Sequence, residues 1–347
     1  MRNGFVIAAL LFAVGCSGSD GGGGAGGAGG TGATGGAGGS GGTGGAGGTG
    51  GVGGGAGWEV PTNEVDTGWT PEVPAALDEQ LTGAERPASC TSEYGFVDKV
   101  RGWVAAPGGE PIEGAKAQLC VYASSGTYVC LQPSETGADG VYTIDVPDEL
   151  QCFENIARRV LKSKIPRATS YCEVDKGVDP VAMLRDPTVL PFLTPVEDLP
   201  PLGDEETARD VVFDDGLVME VTPSLYYSGV LDPYEKFAAR RIPREAVGLC
   251  GEANTFDGLY AFYPEGSISA PGYALEIPNA TDLPAGSTVE LFVLGGLECH
   301  LLDGTKVPEA VWAKFGEGTV STDGATIETA PGAGMPCMTW LAYRSKE

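Results

Sequence analysis

The chain is poor in histidine and in basic residues. His300 is the one histidine among 347 residues, and 21 Lys and Arg stand against 47 Asp and Glu, a formal charge of −26. Each shortage removes a class of function. Zinc sites draw on Cys and His at short spacing; the chain has no C-x-x-C pair and no second histidine, so no metal or other cofactor is expected. A strongly negative field repels a phosphate backbone, so nucleic acid is not an expected partner. Outside the glycine tract no G-x-S-x-G elbow occurs, and nothing marks an acid partner for His300 in "GLECHLLDG". No catalytic residue is therefore expected and the reading is non-enzymatic, with a secreted hydrolase as the enzymatic alternative. The apolar run Phe5 to Val14 is too short to span a bilayer. Side chains themselves are scarce over 21–57, which is nearly all Gly with scattered Ala, Thr, Ser and Val.

The chain starts "MRNGFVIAALLFAVGC", one positive charge and then an apolar run, with Ala13 and Gly15 flanking Val14 directly before Cys16. This resembles the lipobox of bacterial lipoproteins, with Ala13 where leucine is usual. The resemblance implies a signal peptide over 1–15, lipidation at Cys16, and a membrane held as partner through that anchor. Ser17, where an aspartate would favour retention in the inner membrane, implies the outer membrane of a bacterial envelope. An ordinary cleaved signal with an incidental cysteine is the alternative. Residues 16–57 then read as a disordered Gly-rich tether. A Gly-rich chain reaches about 5–6 Å × √n, roughly 30–35 Å over 21–57. There is no proline between Cys16 and Trp58, which excludes a collagen-like array. Residues 58–89 continue as an acidic, Pro-containing linker, on which Trp58 and Trp69 either dock on the body or lie on a disordered arm.

Apart from Cys16 there are eight cysteines: Cys90, Cys120, Cys130, Cys152, Cys172, Cys250, Cys299 and Cys337. An even number in an exported chain reads as up to four disulfides, whose connectivity stays open. One pair can be argued. "AKAQLCVYASSGTYVC" is strand, turn, strand; if Ser124, Ser125 and Gly126 form the loop, Ala123 faces Thr127 and Cys120 faces Cys130. Directly opposed strand residues lie within disulfide reach.

The expected fold is all-β, with two β-sandwich modules after the tether and one short helix between or within them. Strand-length runs rich in Val, Tyr, Thr and Ile, separated by Gly and Pro turns, mark the first module over 90–195. "VRGWVAAPGGEPIEGAKAQL" followed by "TGADGVYTIDVP" resembles the carboxypeptidase regulatory-like domain, a small prealbumin-like (transthyretin-like) β-sandwich. Gly102, Gly114, Ala115, Thr136, Asp139, Gly140 and Tyr142 carry the match. Gly114 and Gly140 suit turns with positive φ, Asp139 a turn before a strand, and Tyr142 and Ile144 one core-facing side. The resemblance implies a spacer, adhesin or carbohydrate-binding module without peptidase chemistry.

In "ELQCFENIARRVLKSKIPRATSYCEV", Phe153, Ile156, Val160 and Leu161 fall at helical spacing, which predicts an amphipathic helix within the first module. Its Arg158, Arg159, Lys162 and Lys164 would pair with the acidic body or form a basic binding patch. Residues 196–209 read as a proline-rich and acidic connector. From 210 to 347 strand signals return, punctuated by Asp-Gly at 215, 257, 303 and 323, and predict a second sandwich. "YALEIPNATDLPAGSTVELFVLGG" and "WAKFGEGTVSTDGATIETAPGAGMPCMTW" resemble a ZU5-like module of bacterial surface proteins, on Trp312, Gly316, Gly318, Thr319, Asp323 and Gly324. That resemblance implies a structural or interaction role.

Two surfaces merit attention as ligand sites. The aromatic residues Trp103, Tyr122 and Tyr128 are carbohydrate-binding candidates. Asp204, Glu205, Glu206, Asp210, Asp214 and Asp215 form an acidic run that reads as linker, with calcium as the alternative for such oxygen ligands. The sequence thus points to a non-enzymatic, lipid-anchored surface protein acting in adhesion, envelope assembly or ligand display. Its expected partner is an envelope protein or a polysaccharide.

Overall fold

The computed structural model describes residues 64–177, 179–196, 205–228 and 237–346, all within one compact unit. The readings made for Cys16, the signal peptide and the tether lie outside these residues. Ten strands come first: β1 Gly95–Phe96, β2 Lys99–Ala105, β3 Lys116–Ala123, β4 Tyr128–Cys130, β5 Ser134–Glu135, β6 Val141–Asp145, β7 Cys152–Leu161, β8 Ser170–Glu173, β9 Val181–Met183 and β10 Thr188–Val189. They make a six-stranded sheet, β1-β7-β3-β4 with β5 on β3 and β8 on β7, and a four-stranded sheet, β10-β2-β6 with β9 on β2. Alternating residues of both sheets meet in one core, with Val100 and Val104 of β2, Leu119 and Val121 of β3, Tyr142 and Ile144 of β6, and Ile156 and Val160 of β7. This is a β-sandwich, as expected. Gly114 and Gly140 take positive φ, and Val141 N–H donates to Asp139 Oδ1 in the turn that launches β6.

The predicted helix is a strand. β7 pairs with β3 from Lys116↔Leu161 to Ala123↔Phe153. The register shifts between Tyr122 and Ala123, so β7 holds one extra residue, Glu154, opposite that step. The bulge brings Phe153 and Ile156, three apart, to the same face, and ordinary alternation then adds Val160. A bulged strand therefore imitates the helical i, i+3, i+7 spacing. Among the described residues the helical segments are short 3-10 turns: Ala75–Asp78, Asp148–Leu150, Pro223–Leu225 and Ala253–Thr255.

Eleven further strands follow: β11 Thr194–Pro195, β12 Arg209–Val212, β13 Val218–Val221, β14 Tyr226–Ser228, β15 Ala238–Ile242, β16 Gly258–Ile268, β17 Leu275–Pro278, β18 Thr288–Leu294, β19 Trp312–Val320, β20 Thr326–Thr329 and β21 Cys337–Ser345. They form one continuous sheet, β11-β15-β16-β21-β18-β19-β20-β17-β13-β12, with β14 on β16. Residues from β13, β16, β17, β18, β20 and β21 share one core, so the sheet folds back over its own face. Asp-Gly closes turns at Gly216, Gly304 and Gly324, each with positive φ. Asp257-Gly258 is not such a turn. Gly258 opens β16, and the Tyr343 ring occupies the space a Cβ would need.

The central strands of this sheet are buried on both faces. Tyr260, Phe262, Leu341 and Tyr343 face its own core, while Leu259, Ala261, Trp340 and Ala342 pack with Ala168, Tyr171 and Leu193. That second apolar layer joins the sheet to the β-sandwich. Trp340 Nε1 donates to Thr169 O at 2.6 Å across it, and the Cys172–Cys250 disulfide links the same two parts covalently.

Residues 64–89 do not behave as a linker. Leu77 is fully buried against Trp103 and Ala105 on the outer face of β2. Burying one such side chain stabilises by about 1.5–3 kcal/mol. Glu64 pairs with Arg167 at 2.7 Å, and Asp66 pairs with Arg240. The acidic residues of this segment thus serve as its docking contacts.

Candidate functional site

The β3–β4 hairpin carries the candidate site. Ala123 N–H donates to Thr127 O at 2.8 Å, and Gly126 closes the three-residue loop at φ 81°. The register places Cys120 opposite Cys130 and Tyr122 opposite Tyr128. The first pair is a disulfide. The second leaves two rings side by side on one face of the hairpin, 41% and 39% exposed. Asn155 of β7 is the cross-strand neighbour of Tyr122, so the rings run on into an exposed amide. A disulfide on one edge of a short ribbon limits the freedom of the pair beside it, and preorganised aromatics lose little entropy on binding.

A distant loop holds Tyr128. Its hydroxyl donates to Glu309, and the Lys306 ammonium lies 4.6 Å from the centre of its ring. Burial, reinforced by the Glu309 carboxylate, pushes the Tyr128 phenol well above its usual range, so it stays a neutral donor. The turn at Asp303-Gly304, closed by Leu301 N–H to Thr305 O at 2.8 Å, sets Lys306 in place. Neither Lys306 nor Glu309 was legible as a site residue, because they meet Tyr128 across 181 residues of chain in the case of Glu309.

Trp103, the third aromatic candidate, is 1% exposed. Its place on β2 does point away from the sandwich core, but Leu77 covers it, and its Nε1 donates to Arg185 O at 2.9 Å. It does not share the exposed face of the hairpin. The basic run of β7 is not an exposed patch either. Arg158 donates to Tyr142 Oη at 3.2 Å, and Arg159 pairs with Glu265, both arginines being buried.

All eight candidate cysteines are paired: Cys90–Cys152, Cys120–Cys130, Cys172–Cys250 and Cys299–Cys337. Cys299 therefore supplies no thiolate to its neighbour His300, whose Nδ1 lies 3.1 Å from Glu298 O on an exposed turn. Cys120, Cys130 and Glu309 lie close enough to suggest a metal site, but the two sulfurs are bonded to each other and only the carboxylate remains as a ligand. In the acidic run, Asp214 and Asp215 sit in the β12–β13 turn, and Asp215 Oδ1 accepts from Leu217 N–H.

Four disulfides mark a protein of an oxidising, extracellular or envelope compartment. No helix of the described residues is long and apolar enough to cross a membrane. Comparison with known protein families and with curated proteins gives no match.

Proposed function

We propose that this chain is a non-enzymatic bacterial envelope protein, lipid-anchored at Cys16 to the outer membrane, that presents the Tyr122–Tyr128 face of its β3–β4 hairpin to a polysaccharide. Adhesion, envelope assembly and ligand display are the roles open to such a protein. The observation that carries the reading is the paired, exposed tyrosines, one of them braced by Lys306 and Glu309. Apolar rings with polar edges suit the faces and hydroxyls of sugars. The resemblances to a carboxypeptidase regulatory-like domain and to a ZU5-like surface module support a binding or interaction role.

Screening the protein against envelope and host polysaccharides tests the site. Binding that Tyr122→Ala abolishes is the expected result. Failure to bind any polysaccharide would overturn it in favour of a protein partner. Cys16→Ser tests the anchor and should move the protein from the membrane fraction to the soluble one.

A further inference from the structure

A cleft of about 530 Å³ opens where β15 ends, β16 begins and the loop after β17 passes over them. Arg241, Arg244, Glu245, Asp257, Thr281 and Leu283 line it. That volume suits a ligand of one or two sugar units. Strand alternation decides which arginine faces it. Arg240 leaves one side of β15 and pairs with Asp66. Arg241 leaves the other side, the side of Ala239, which packs in the core with Tyr260 and Tyr343.

The charges in the cleft are unevenly committed. Arg244 is held by Glu245 at 3.0 Å, and Asp257 Oδ2 accepts the Ser345 N–H at 2.6 Å. The Thr281 and Tyr343 hydroxyls lie 3.3 Å apart. The Arg241 guanidinium makes no hydrogen bond or ion pair among the described residues, although Glu245 of the same cleft feels its charge. A guanidinium presents a planar fork of donors that matches a carboxylate. The acidic body and the Asp257 carboxylate oppose a second negative charge on anything bound there. Asp257 and Thr281 meanwhile offer acceptors to hydroxyl groups.

We propose that this cleft binds a monoanionic, polyhydroxylated ligand of the uronic-acid class, its carboxylate on Arg241 and its hydroxyls on Asp257 and Thr281. The site is separate from the tyrosine hairpin and does not depend on it.

Calorimetric titration of the full-length protein with galacturonate, with neutral galactose, and with galactose 6-phosphate tests the assignment. Galacturonate should bind at least about tenfold more tightly than either of the others. Arg241→Gln should remove that preference, Arg241→Lys should keep part of it, and Tyr122→Ala should leave it unchanged. Should Arg241→Gln not fold, the lysine variant must still weaken galacturonate binding. Equal affinity for the neutral sugar, tighter binding of the phosphate, indifference to both Arg241 variants, or no uronate binding at millimolar concentration would each overturn the proposal. Loss of binding in Tyr122→Ala would instead assign the sugar to the hairpin and also overturn it.

Discussion

Arg159 Nη2 lies 2.5 Å from Glu265 Oε2, with the two side chains 3% and 7% exposed. They come from β7 of the sandwich and from the stretch of β16 between Ala261 and Gly266, where its pairing with β21 loses register. Tyr171 donates its hydroxyl to the other carboxylate oxygen, which also accepts Leu297 N–H at 2.9 Å. The carboxylate is thus satisfied from three directions inside the layer that joins sandwich and long sheet. Glu265→Ala should cost about 3–5 kcal/mol, because it strands a buried guanidinium. Replacing both partners, Arg159→Met with Glu265→Leu, should recover much of that loss. Urea unfolding of the single and double variants measures both.

The disulfide map is a second expectation. Proteolysis without reduction, followed by mass spectrometry, should recover four linked peptide pairs: Cys90 with Cys152, Cys120 with Cys130, Cys172 with Cys250, and Cys299 with Cys337. The double variant Cys172→Ser, Cys250→Ser removes the one bond that ties the β8 region to the loop after β15, and should cost roughly 2–4 kcal/mol. Any other connectivity would contradict the arrangement of the two parts.

Trp103 and Tyr122 should separate stability from recognition. Trp103→Ala empties a buried site beneath Leu77 and should destabilise by about 3–5 kcal/mol. Tyr122→Ala removes an exposed ring and should change stability by no more than about 0.5 kcal/mol while abolishing polysaccharide binding. Thermal melts beside binding curves check the pair.

Glu317 provides a pH test. Hydrogen bonds from Lys314 and then Lys346, both at 2.9 Å, lower its carboxyl from the ordinary 4.5 to about 2. A folded-state value below the unfolded one means that its contribution to stability is in place above pH 4.5 and is lost as the pH falls towards 2. The carboxyl lies at the surface in contact with water, so the effect is read as a titration rather than as a large change in stability. Side-chain carboxyl NMR should give a midpoint near 2, and Lys314→Ala should move it up towards the ordinary value.

Local chemistry made much of the fold legible. Gly126 closes the loop that sets Cys120 against Cys130, and every partner in that hairpin is within a few residues of the turn. β13, β14 and β16 to β21 fall largely within the β-rich runs expected of the second half, whereas β11, β12 and β15 lie outside them. Asp-Gly at 215, 303 and 323 forms turns because a glycine there accepts positive φ. β7 imitates a helix for an equally local reason: one bulged residue, Glu154, shifts its apolar side chains into helical spacing.

The sequence by itself settles the acidic balance and the β-rich character and points to the Cys120–Cys130 hairpin, since each rests on residue type or on neighbours close along the chain. Tertiary structure decides the rest. It buries Trp103 by laying Leu77 across an outward-facing strand position, and it draws Glu309 to Tyr128 and Glu265 to Arg159 over long separations. Strand alternation says which side of a strand a residue takes; only the packing of a second layer decides whether that side meets water.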